Sequence, residues 1–201
     1  MRARARLLSV LVMLATGAVG VISSTQTWLT VVLDDGAQHE LAVSGAAALP
    51  VLAPLSLAVL ALGGALSIVG RVLRYVFGAL AVVIGVVLFA LTWPIAIAHP
   101  VTAVASVVTE ATGIAGIQAI ADLVADIAAT PWPVVSLVAW CVLIAAGVFT
   151  LATAHTWAAT GRRYDTAADH SAAAPTAAAG SRPHDAIDDW DDLSRGDDPT
   201  T

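Results

Sequence analysis

Four stretches of the chain are nearly unbroken runs of apolar residues, and the polar positions gather between them. The runs cover about 7–24, 49–70, 75–98 and 134–154. A helix needs about 20 apolar residues to cross the hydrocarbon of a bilayer. Lipid offers no partners to exposed backbone groups, so each run is expected to satisfy its own as a helix. The pattern predicts four transmembrane helices.

The segments between the runs carry different patterns. Thr27–Leu33 and 38–43 are rich in Val, Thr and Leu, with the turn signal Asp34-Asp35-Gly36 between them. This predicts a short hairpin resting on the helix ends. Asp34, Asp35, His39 and Glu40 carry oxygen and imidazole donors. Their spacing fits no strong metal motif, and turn chemistry already accounts for the aspartates. In the long segment 99–133, Ile117, Ile120, Val124 and Ile127 follow helical spacing, while Gln118, Asp122 and Asp126 line the opposite face. That predicts an amphipathic helix lying against the bundle or the membrane surface, ended by Thr130-Pro131.

The last 45 positions, 157–201, break the apolar pattern. Residues 168–181 hold few large apolar side chains, too few to offset chain entropy, and read as a flexible linker. Beyond it Ile187, Trp190 and Leu193 recur every third residue among Asp188, Asp189, Asp191 and Asp192. On a helix this is a narrow apolar strip flanked by negative charge, a pattern of disordered segments that fold into a partner's groove. Solubility explains the aspartates but not Trp190. Contact with the protein's own cytoplasmic face and an inert tail are the other readings.

The fold class is therefore an all-α integral membrane protein. It comprises a four-transmembrane-helix bundle over 1–156, with an extracytoplasmic β-hairpin and amphipathic helix, and a disordered cytoplasmic tail over 157–201. Composition agrees: 58% of residues are hydrophobic and 12% charged, too apolar for a water-soluble domain. The net charge of −6 and the lack of a basic patch argue against nucleic acid as a partner. A single cysteine, Cys141, allows neither an intrachain disulfide nor a cysteine-based metal site.

The chain has no lysine, and its nine arginines set an orientation. Arg2, Arg4 and Arg6 precede the first run, Arg71 and Arg74 join the second to the third, and Arg162, Arg163, Arg182 and Arg195 follow the fourth. By the positive-inside rule both termini and the middle link are cytoplasmic, in the cell membrane. The first run also has the basic start and small-residue end of a signal peptide, an alternative that leaves the remaining topology unchanged. Trp28, Trp93 and Trp132 are expected at the outer interface, and Tyr75, Trp157 and Tyr164 at the inner one. Trp140 is placed deeper, as a packing residue. Gly17, Gly20, Gly63, Gly64, Ser67, Gly78, Gly85, Ala146 and Thr150 suit close helix packing. Packing within the bundle is the simpler reading, and a homodimer face through Gly63 and Ser67 the sharper one.

The arrangement resembles the actinobacterial tryptophan-biosynthesis-associated membrane protein family. The resemblance rests on Thr27-Trp28, Ser44-Gly45, Ala53-Pro54-Leu55, Gly70-Arg71 with Arg74, Gly161-Arg162-Arg163-Tyr164 and the closing DDWDDLSRGDDPT. It implies a link to tryptophan-biosynthesis genes and brings no reaction or site residues with it.

Three functions compete. The first is a membrane anchor or accessory protein whose tail docks a cytosolic partner through Ile187, Trp190 and Leu193, for which the resemblance suggests an enzyme of tryptophan synthesis. The second is a small transporter or exporter of tryptophan or a related aromatic, with Trp93, Trp140 or kinks at Pro54 and Pro94 shaping a pocket. Spans free of ionisable residues at mid-depth count against a pump or proton-coupled carrier. The third, an enzyme, finds no nucleophile with a base and no phosphate-cradling loop. No catalytic, cofactor-binding or metal residues are assigned.

Overall fold

The computed structural model describes residues 2–34 and 40–156. The chain divides into two units, Met1–Thr160 and Gly161–Thr201, and all described residues lie in the first. The order is α1 (Arg2–Thr25), β1 (Thr27–Leu33), β2 (Glu40–Ser44), α2 (Gly45–Ala48), α3 (Leu52–Leu66), α4 (Arg71–Ala98), α5 (Val101–Thr112), α6 (Ile117–Leu123), β3 (Val124–Ala129) and α7 (Trp132–Thr153).

Among the described residues three single helices, α1, α4 and α7, are long and apolar enough to cross a membrane. The second apolar run, expected as a span over 49–70, is helical only over the 15 residues of α3. At 1.5 Å per residue that is about 22 Å, short of the roughly 30 Å of a hydrocarbon core. Tight turns cut it at both ends: Leu52 N–H donates to Leu49 C=O, and Ser67 and Ile68 N–H donate three residues back to Gly64 and Ala65. Pro54 sits in the first turn of α3, where a missing N–H costs nothing. The helix α4 runs on through Pro94 to Ala98. It ends at His99, whose φ of 44° is left-handed, just before Pro100.

Close contacts at glycines fix how the helices run. A β-carbon at Gly17 would lie 2.9 Å from Leu60 Cγ, and one at Gly63 3.1 Å from Leu14 Cδ2, so α3 descends along α1. Gly78 faces Thr150 and Leu151, Gly85 faces Ile144 and Gly147 faces Val82, so α7 descends along α4. The central contact is between α1 and α7, giving the neighbour order α3–α1–α7–α4. Glycines sit at these close contacts, while large apolar side chains divide between the inside, as Met13, Leu88 and Leu143, and the outside, as Leu57, Val83 and Val138. Lipid is as apolar as leucine, so helices there gain by close backbone approach rather than by hiding apolar surface.

The end of α1 leads into, and the start of α7 packs against, a three-stranded antiparallel sheet of order β2-β1-β3. Its core includes Leu29, Val31 and Leu33 of β1, Val43 of β2, Val104 and Val108 of α5, and Ile120 of α6. The segment between β1 and β2, 35–39, lies outside the described residues.

The segment 99–133 departs from its expected form. Residues 101–112 form the helix α5. The amphipathic helix expected through Ile127 stops at Leu123, and Val124 and Ile127 belong to β3. The reason is a β-bulge. Val32 pairs with Asp126 and Leu33 with Val124, so two residues on β1 oppose three on β3. An extra residue in a strand places positions three apart on the same face, and that spacing imitates a helix. Thr130-Pro131 accordingly ends a strand and opens α7, rather than ending a helix.

Candidate functional site

The most connected polar group joins the sheet to the helices. Between Thr27 and Leu29 the β1–β2 register slips, which makes Trp28 the bulged residue. Its ring turns inward and is fully buried, not placed in an interfacial belt as its position after the first run suggested. The indole Nε1–H donates to Ser23 Oγ at 2.9 Å. Ser23 Oγ lies 2.7 Å from Ser136 Oγ, and the Ser136 hydroxyl reaches Trp132 C=O at 3.0 Å. One buried chain of hydrogen bonds thus ties β1, the end of α1 and the start of α7.

Gly45 lets the chain pass this close. A β-carbon there would lie 2.6 Å from Ser23 C=O and 2.7 Å from Trp28 Nε1. Gly45 N–H donates to Gln26 C=O, and Ser44 Oγ accepts from Ala47 N–H to cap α2. On the other side Thr130 donates from its N–H to Trp28 C=O and from its hydroxyl to Thr27 C=O. Thr27-Trp28 and Ser44-Gly45 are therefore the two halves of one joint. The Ser23 and Ser136 hydroxyls meet an indole, each other and a backbone carbonyl. None of these can take a proton from a hydroxyl as a catalytic base does.

Deeper between the helices, Trp140 packs where α1, α3 and α7 meet. A β-carbon at Gly20 would collide with Ser56 Oγ and lie 2.6 Å from Trp140 Cη2. Trp140 is fully buried, and its Nε1 has no hydrogen-bond partner among the described residues; the same holds for Thr92 Oγ1. Trp93 is half exposed, its ring centroid 5.6 Å from that of Phe89. The two rings line an outward groove of about 460 Å³ between α4 and α7, together with Val138 and Cys141. Trp93 and Trp140 are thus not brought into one pocket.

At the opposite end lie the first turns of α1 and α4 and the α3–α4 link. Arg74 is fully buried and donates from Nε to Val69 C=O at 3.2 Å. A cation placed there complements the carbonyl-rich end of α3. Burial was not expected of an arginine counted as a topological marker. Local polarity cannot reveal it, because the carbonyl that recruits the guanidinium belongs to the backbone.

Asp34 and Glu40 are exposed, while Asp35 and His39 fall outside the described residues. Among the described residues no three of His, Cys, Asp and Glu come together as a metal site would need. The tail residues Ile187, Asp188, Asp189, Trp190, Asp191, Asp192 and Leu193 also lie outside the described residues, as do Trp157 and Tyr164.

No curated protein and no solved structure matches the chain. The tryptophan-associated transmembrane protein family matches residues 10–200. With nearly the whole chain covered, from the first apolar run into the closing acidic segment, the protein belongs to the tryptophan-associated transmembrane protein family.

Proposed function

We propose that this protein is a non-enzymatic membrane anchor or accessory factor linked to tryptophan biosynthesis. It crosses the cell membrane four times, α3 included, with both termini cytoplasmic and the sheet outside. Its acidic tail docks a cytosolic protein, an enzyme of tryptophan synthesis being the natural candidate. The observation that carries this reading is the reach of the family match to residue 200, which takes in the acidic segment with Trp190. Arginine placement supports the orientation, since the described arginines all lie at the end away from the sheet. Glycine-tight contacts between α1 and α3 and between α4 and α7 support an anchor over a moving carrier.

The test is a crosslinked pull-down from native membranes, comparing the intact protein with the Ile187/Trp190/Leu193 triple alanine variant. The chain has no lysine, so carboxyl-directed crosslinking through the aspartates suits it better than amine chemistry. Partners lost only in the variant, and bound directly by the tail peptide in titration, are the expected result. An unchanged partner list ends the docking reading.

A second reading, a small exporter of tryptophan or a related aromatic, is favoured by one observation: the buried Trp140 Nε1 and Thr92 Oγ1, which have no partner among the described residues. Polar atoms left unbonded in a low-dielectric interior are costly unless something else meets them. Flux of labelled tryptophan into proteoliposomes above empty vesicles is what this reading requires.

A further inference from the structure

The shortness of α3 leaves a gap at the arginine end. Gly63 packs level with Leu14, so α3 ends at Leu66 while α1 continues beyond it to Arg2. The first turns of α1 therefore have no α3 beside them. Between them and the start of the α3–α4 link lies a notch of about 330 Å³, lined by Arg6, Leu7, Val10 and Ser67. That is within the size of small-molecule sites, about 300–1,000 Å³.

The link itself is built for an apolar setting. Ile68 is 83% exposed and Val69 follows it, which would be an odd choice for a loop in water. Much of its backbone is bonded from within: Ser67, Ile68 and Val69 N–H donate to Gly64 and Ala65, Ser67 Oγ–H to Gly64 C=O, and Arg74 Nε–H caps Val69 C=O. Internal satisfaction of this kind is what non-helical backbone needs at membrane depth. A 22 Å helix in a hydrocarbon layer of about 30 Å leaves several ångströms that lipid must fill.

We propose that this notch binds one anionic phospholipid, its phosphate held by Arg6 and an acyl chain laid along Leu7 and Val10 beyond the end of α3. The guanidinium fork matches a phosphate bidentately. Ser67 has spent its hydroxyl proton on Gly64 C=O, so it contributes shape at the mouth rather than a second donor. A free phosphate would leave the two apolar walls uncovered, which is why the occupant is a lipid. The proposal is independent of what the tail binds.

The test uses the full chain in nanodiscs of phosphatidylcholine mixed with phosphatidylglycerol, with lipids retained on release counted by native mass spectrometry. One phosphatidylglycerol is expected to stay bound in preference to phosphatidylcholine. Arg6→Gln should weaken that retention about tenfold, the scale of a lost charge-assisted hydrogen bond. Arg2→Gln removes the same charge from the same helix and should leave retention unchanged. Ser67→Leu fills the notch and should expel the lipid with Arg6 intact, its melting curve confirming that the variant folds. Equal retention of both lipids, an equal loss in Arg2→Gln, or a lipid-free dimer in place of the adduct would each overturn the proposal.

Discussion

The helix layer and the sheet at its end differ in how they pack. In the helix layer glycines let backbones approach, as at Gly20 against Ser56 and Trp140 and Gly147 against Val82, and large side chains lie on both faces, Met13, Leu88 and Leu143 buried and Val83, Leu91 and Val138 outward. In the sheet the large residues face inward, Trp28, Leu29 and Val31 being fully buried. On the proposed topology the surroundings differ as well. Lipid outside the helices would remove the gain from burying apolar surface, leaving contact and close approach to hold them. Water beyond the sheet would restore that gain, at about 25 cal/mol for each Å² buried. At the boundary a tryptophan spans both regimes, its ring in the sheet's core and its N–H on the helices.

The strongest way to break this contrast is Trp28→Ala. It removes a fully buried ring and the donor to Ser23, and should cost about 4 kcal/mol by analogy with other buried aromatic truncations. Chemical denaturation in detergent measures it, and the sheet's proteolytic protection should fall before the helical circular dichroism does. Gly20→Val tests the helix side by overfilling. Its first added carbon already collides with Ser56 Oγ, so about 3 kcal/mol of destabilisation is expected from a packed interface. A neutral result would mean that the α1–α3–α7 meeting point is looser than the glycine contacts imply.

Ser23→Ala probes the seam between the regions. It leaves the Trp28 indole N–H buried without its acceptor and should cost about 2 kcal/mol, with Ser136→Ala milder because Trp28 keeps its partner. The smallest effect, and of opposite sign, is expected at Gly64. It lies in α3 with nothing within 4 Å of where a β-carbon would stand. Gly64→Ala should therefore raise stability by up to about 1 kcal/mol through helix propensity alone. A clear loss there would show that a second copy packs on the open Gly64 face, since Gly63 is already taken up by Leu14 of α1.

Much of this architecture was legible along the chain, because membrane depth writes itself into composition. Apolar runs at 7–24, 75–98 and 134–154 correspond to α1, α4 and α7 within a few residues, since hydrocarbon demands unbroken apolarity from any helix it surrounds. Glycine and small-residue positions likewise announced close packing, and the structure directs Gly17, Gly20, Gly63, Gly78 and Gly85 toward neighbouring helices. β1 ends at Leu33, and the turn expected over Asp34-Asp35-Gly36 falls mostly outside the described residues.

What only the tertiary structure decided involves partners distant in sequence. β3 exists because β1 offers its free edge, and the bulge that seats Val124 and Ile127 reproduces helical spacing, so periodicity alone pointed to the wrong element. Trp28 turns inward because Ser23, Gly45 and Ser136 come together from three segments to receive it. Hydropathy records how each residue meets its solvent, and that is a local property. Backbone pairing and hydrogen-bond closure depend on groups that folding alone brings within reach.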